Sequence, residues 1–177
     1  MALWNWKDTG VKMLFFLCLF CIAWADCLEK NTVLDSIVPI QSNDIPTLVQ
    51  KNTGCILLFE LWAGWCSSCQ QIKPQLQEII QKHPKITHLS VSADYSEQAL
   101  RNYLKKHNNS DKGHYLIQNW TVENLKTNLD LIQVHFKGAI PLLILFDAKG
   151  KLLYEATEPK DLSSLAAMLQ QVDPVSP

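Results

Sequence analysis

The segment that most limits what this chain can become is Cys55-Ile-Leu-Leu-Phe-Glu-Leu-Trp62, an apolar run interrupted only by Glu60. Entered through Gly54, a continuous run of this kind predicts a strand covered on both faces, which belongs to a parallel sheet with helices on each side. Gly64 ends the pattern, and Cys66-Ser-Ser-Cys69 follows where a helix is expected to begin. After Cys69, the residues Ile72, Leu76, Ile79 and Ile80 recur at helical spacing up to Lys82. Pro74 falls inside that stretch and predicts a kinked rather than a broken helix.

Downstream, Ile86-Thr-His-Leu-Ser-Val-Ser92 alternates and predicts a second central strand. Ser96 opens a helix that runs to about Asn108-Asn109, and Lys112–Gln118 holds a short strand. Thr121 caps a helix expected to reach about Val134. Ile140-Pro-Leu-Leu-Ile-Leu-Phe146 is a strand entered through a proline, Asp147-Ala-Lys-Gly150 a tight turn, and Lys151-Leu-Leu-Tyr-Glu155 the return strand. Asp161 caps a final helix with Leu162, Leu165, Ala166 and Leu169 on one face. Between Asp26 and about Thr53 the chain is weakly patterned, with Asp44 and Pro46 suited to the first turn of a short helix. The order predicts an α/β fold, a mixed central sheet flanked by helices on both faces. We divide the chain into a leader at 1–25, an N-terminal extension at 26–50 and the main domain at 51–177.

The leader has the three parts of a secretory signal peptide. Lys7 and Lys12 stand in a polar start, Met13 to Ala23 is apolar, and Ala23-Trp24-Ala25 offers small residues for cleavage before Asp26. An uncleaved membrane anchor is the competing reading, although the run is shorter than the roughly 20 residues a bilayer needs. Cleavage removes Lys7, Lys12 and Asp8 from the 16 basic and 17 acidic side chains, leaving 14 and 16, a net charge of −2. With the lysines scattered, nothing here attracts nucleic acid. The hydrophobic share of 47% against 19% charged excludes a disordered chain. Cys27, Cys55, Cys66 and Cys69 would then mature where disulfides persist. Cys27 and Cys55 are candidates for a structural disulfide, the alternative for Cys55 being an inert core thiol.

Cys66 and Cys69 carry the chemistry. Their spacing lets the sulfurs close a small ring, and the first sulfur lies at a helix N-terminus, where free N–H groups favour a thiolate. The second, one turn in and more buried, can attack a mixed disulfide formed at the first. Cys66 is therefore the expected nucleophile and Cys69 the resolving thiol. A zinc site would need two further ligands, and no second Cys-x-x-Cys or close histidine pair supplies them. No metal or other cofactor is expected. Glu60, alone in a buried strand, is expected to have its pKa raised by desolvation and to shuttle a proton for Cys69. The alternative is that Glu60 points to a polar edge or pairs with a lysine.

Phe59-Glu-Leu-Trp-Ala-Gly-Trp-Cys-Ser-Ser-Cys-Gln-Gln-Ile-Lys-Pro74 resembles the active-site segment of the thioredoxin superfamily. Gly138-Ala-Ile-Pro141 is similar to that family's cis-proline loop and leads into the same strand–turn–strand. The likeness runs from about Lys51 to Leu169 and implies a thioredoxin fold. It also implies a cis bond between Ile140 and Pro141, facing the cysteines, with the Ile140 backbone free to pair with substrate. Glu60 stands where thioredoxins carry a buried aspartate, and Trp65 is the expected substrate contact on the rim. Length and leader resemble the TlpA/ResA/DsbE-like branch of exported thiol:disulfide oxidoreductases, with the DsbD-type reductase domain the second resemblance. That likeness implies protein disulfide substrates, a membrane-bound electron donor of the DsbD/CcdA type and a periplasmic location. A dithiol oxidase or isomerase, or a non-catalytic metallochaperone or assembly module, would use the same fold.

Overall fold

A computed structural model describes residues 37–107 and 113–173. The predicted leader and Cys27 lie outside the described residues. In chain order the elements are β1 (Val38–Ile40), a 3-10 turn (Ser42–Asp44), α1 (Ile45–Lys51), β2 (Leu57–Trp62) and α2 (Ser67–Lys82). They continue with β3 (Thr87–Ser92), α3 (Glu97–Lys106), β4 (His114–Ile117), α4 (Val122–Asp130), β5 (Leu142–Phe146), β6 (Leu152–Thr157) and α5 (Ser163–Val172).

Among the described residues six strands form one sheet in the order β1-β4-β3-β2-β5-β6. The pairs β1–β4, β4–β3 and β3–β2 are parallel, whereas β2–β5 and β5–β6 are antiparallel. The expected mixed α/β sheet is what the chain forms. β2 is central and wholly buried, as its uninterrupted apolar run requires. On one face Leu57, Phe59 and Leu61 meet Ile45 and Val49 of α1 and Leu125 and Leu129 of α4. On the other, Leu58, Leu143 and Leu145 meet Ile72, Leu76 and Ile79 of α2 and Leu165 and Leu169 of α5.

Helix ends follow their chemistry. Ser96 Oγ accepts from Ala99 N–H and Thr121 Oγ1 from Asn124 N–H, capping α3 and α4. Asp44 does not cap α1; its carboxylate accepts from Gln41 N–H across the preceding 3-10 turn, and Pro46 takes the first turn of the helix. α2 passes through Pro74 without interruption. α4 stops at Asp130 instead of continuing to Val134, because the chain turns through Leu131–Gln133 with φ of 63° at Gln133. That turn lets Val134 N–H reach back to Leu129 O and buries Val134. β1, inside the weakly patterned 26–50 stretch, joins the same sheet by pairing Pro39 with Leu116.

Thr87 opens β3 with its side chain buried and Oγ1 unpaired among the described residues. A buried hydroxyl without a partner costs more than a methyl group in its place. Thr87→Val should therefore raise the urea unfolding midpoint, with a gain of about 1 kcal/mol. Unchanged or reduced stability would show that the hydroxyl is satisfied.

Candidate active site

The carboxyl ends of β2, β3 and β4 and the start of β5 share one edge of the sheet, and the two cysteines sit there. The chain leaves β2 through Ala63-Gly64-Trp65. Gly64 N–H donates to Asp94 Oδ2 at 3.0 Å, and the Gln70 side-chain amide donates to Gly64 O at 2.6 Å. Asp94 also accepts from Ser92 Oγ at 2.8 Å, so its buried carboxylate fixes the loop to the end of β3. A Cβ at residue 64 would come within 2.8 Å of the Tyr103 ring, which is why the position is glycine.

Cys66 is the N-cap of α2, and its sulfur accepts from Cys69 N–H at 3.1 Å. The two cysteines form a disulfide with Cα atoms 5.2 Å apart. Cys69 is 1% exposed, the deeper of the two. A sulfur held by an amide at the helix start is where a thiolate is favoured, by the N–H itself and by the aligned peptide dipoles. The Ile140–Pro141 peptide is cis. Ile140 O lies 3.6 Å from Cys66 Sγ, and Ser68 Oγ donates to the same carbonyl at 3.3 Å. The two separated sequence motifs thus meet at one sulfur.

Glu60 overturns one expectation. It is 1% exposed, and burial alone would raise its pKa. Lys73 Nζ lies 2.9 Å from Oε1, and His88 Nε2 lies 3.0 Å from Oε2. Their attraction and hydrogen bonds outweigh burial and bring the carboxyl down to about 2. Lys73 and His88 therefore hold Glu60 as a carboxylate, the opposite of the raised pKa expected from burial alone. The lysine partnership is the one the chain makes. Lys73 also lies 3.5 Å above the centroid of the Trp62 ring, and Trp62 Nε1 donates to Ser90 Oγ at 2.8 Å. Trp62 is core.

Trp65 is 48% exposed and stacks on Tyr95, itself 80% exposed, with ring centroids 5.6 Å apart. Sequence reasoning named Trp65 but missed Tyr95, Asp94 and Lys73. For Lys73 a signal existed: it occupies a core-facing position of α2, between Cys69 and Leu76, on the helix that covers Glu60. Cys55 is buried at the entrance to β2, while Cys27 lies outside the described residues. Among the described residues no cluster of three metal-binding side chains occurs.

The comparisons with known proteins agree with this geometry. The family profile described as thioredoxin-like matches residues 54–152, from the turn before β2 to the start of β6. The thiol-disulfide oxidoreductase ResA of Bacillus cereus is 24% identical over 131 residues. That alignment covers 70% of this chain and 66% of the relative, just under two thirds of its length. The thioredoxin domain of a thiol-disulfide oxidoreductase from Bacteroides vulgatus superposes with a TM-score of 0.53 at 19% identity, over 70% of this chain and 83% of the other. A thiol:disulfide interchange protein of the thioredoxin family from Chlorobium tepidum gives 0.53 at 14% identity, over 70% and 83%. With sheet order, paired cysteines, cis-proline loop and profile in agreement, the chain belongs to the thioredoxin-like family.

Proposed function

We propose that this protein is a thiol-disulfide oxidoreductase of the TlpA/ResA/DsbE-like branch, exchanging or reducing disulfides of protein substrates through Cys66 and Cys69. The observation that carries the reading is the placement of Cys66 at the N-terminus of α2, bonded to the deeper Cys69 and facing the carbonyl of Ile140.

In the reducing direction the Cys66 thiolate attacks one sulfur of the substrate disulfide, and the other leaves as a thiolate that takes a proton from solvent. Cys69 then gives up its thiol proton to solvent and attacks Cys66 Sγ as the thiolate. The internal disulfide forms, the substrate's second sulfur departs, and two electrons have passed to substrate. The substrate strand lies along Ile140 and Pro141, with Trp65 on Tyr95 forming the rim. Glu60 acts electrostatically: it holds the Lys73 ammonium one helical turn below Cys69, on the same face of α2.

Restoring the dithiol requires two electrons, and a membrane-bound donor of the DsbD/CcdA type fits that need. Export by the 1–25 leader to the periplasm belongs to the same proposal, as does a structural Cys27–Cys55 disulfide. No helix among the described residues is long and apolar enough to cross a membrane.

The deciding experiment measures the reduction potential of the Cys66/Cys69 pair together with catalysed reduction of insulin. Activity with a potential near about −270 mV identifies a reductant, whereas one near about −120 mV identifies a dithiol oxidase. Absence of any catalysed exchange refutes the proposal.

A further inference from the structure

Ser68 stands between the two halves of the site. Its Oγ lies 3.3 Å from Ile140 O and 3.4 Å from Cys66 Sγ. A hydroxyl has one proton and cannot direct it at both acceptors. In the disulfide state Cys66 Sγ is a weak acceptor and the Ile140 carbonyl a strong one, so the proton points to Ile140. After reduction the Cys66 thiolate is the stronger acceptor, because hydrogen bonds to an ionised partner are about twice as strong as neutral ones.

We propose that Ser68 is a two-position hydrogen-bond donor that couples occupation of the Ile140 carbonyl to stabilisation of charge on Cys66. In the reduced protein the Ser68 hydroxyl divides between the two acceptors, and a backbone N–H from a docked substrate strand takes the Ile140 oxygen and frees the hydroxyl from it. Rotation about one side-chain bond then turns it onto the sulfur, where it joins the Cys69 N–H already 3.1 Å away. Docking thereby completes the support of a thiolate that the hydroxyl already favours, and the oxidised, empty site keeps the docking carbonyl capped. No bond is made or broken by Ser68. The other ionisable groups nearby are committed elsewhere: Glu60 of β2, Lys73 of α2 and His88 of β3 to one another, and Asp94 to Gly64 and Ser92.

This rests on the oxidoreductase reading, yet its test does not need a substrate. The Cys66 titration, followed by thiolate ultraviolet absorbance, and the equilibrium with glutathione are measured in the full chain for wild type, Ser68→Ala and Ser68→Thr. Removing the hydroxyl weakens the thiolate, so Ser68→Ala should titrate about one pH unit higher. Because the reduced form loses that support, its equilibrium with glutathione should move about tenfold toward the disulfide, about 30 mV more negative. With insulin, kcat and KM should fall together, since the docking carbonyl is no longer capped. Ser68→Thr keeps the hydroxyl and should restore titration, potential and kinetics. A Ser68→Ala protein with wild-type titration and potential, or shifts that threonine does not reverse, would overturn the proposal. A wild type that reduces no disulfide would sink the oxidoreductase reading instead.

Discussion

Lys73→Met should lower the unfolding free energy at pH 7 by about 3–5 kcal/mol, the usual cost of removing one partner from a buried ion pair. Glu60 is buried against β3, β5 and α2, and among the described residues Lys73 and the half-buried His88 answer its charge. The folded pKa of about 2 lies below the ordinary 4.5. In the wild type this pair therefore contributes stability that is present above pH 4.5 and lost as pH falls toward 2, on the order of 3 kcal/mol. Without the lysine, burial dominates and the carboxyl rises, so the sign reverses: the variant gains stability on acidification while the wild type loses it. Urea unfolding across pH 3 to 7 should show the two curves converging on the acid side. The double variant Glu60→Leu/Lys73→Met should recover most of the loss, because an apolar pair of similar volume replaces a buried ion pair at little cost. A single variant as stable as the wild type at neutral pH would mean that Glu60 reaches water.

Cys69→Ala should stop turnover and leave covalent adducts on Cys66, whereas Cys66→Ser should stop turnover without any. The first sulfur can still attack a substrate disulfide, but the buried partner that resolves the mixed disulfide is gone. Loss of insulin reduction should exceed roughly a thousandfold in both variants, on the scale seen when a covalent nucleophile is removed. Non-reducing gels separate them, since reductant-sensitive high-mass species should form in Cys69→Ala alone. Adducts in Cys66→Ser instead would exchange the roles assigned to the two sulfurs.

Much of the architecture was legible because single segments carry it. The apolar run of β2, the helical stripe after Cys69 and the proline-led strand β5 each state their structure locally, and the two cysteines lie where those elements predict. β1 was not legible. Three residues around Pro39 make no pattern, and their strand exists only because β4 offers an open edge. The end of α4 depended on Gln133 adopting a positive φ to bury Val134, a tertiary demand invisible in the spacing. For Glu60 the burial was anticipated and its consequence was not: desolvation was counted, but Lys73 and His88 arrive from α2 and β3. Electrostatics of a buried group is decided by its neighbours across the fold. Asp94 and Tyr95 follow the same rule, since only the alignment of β2 with β3 brings them beside Gly64 and Trp65.

The contacts around Cys66 also set an order of events in the life of the chain. Its carbonyl neighbour Ile140 lies 74 positions further on, and the anchor of the preceding loop, Asp94, lies 30 positions from Gly64. A ribosome has to release β5, and the antiparallel pairing of β5 with β2 has to close, before the first cysteine meets that carbonyl. Until then the pair has only what the start of α2 gives it locally. What Ile140 adds comes last, with completion of the sheet, so a half-made chain has for its cysteines only the support of the helix start.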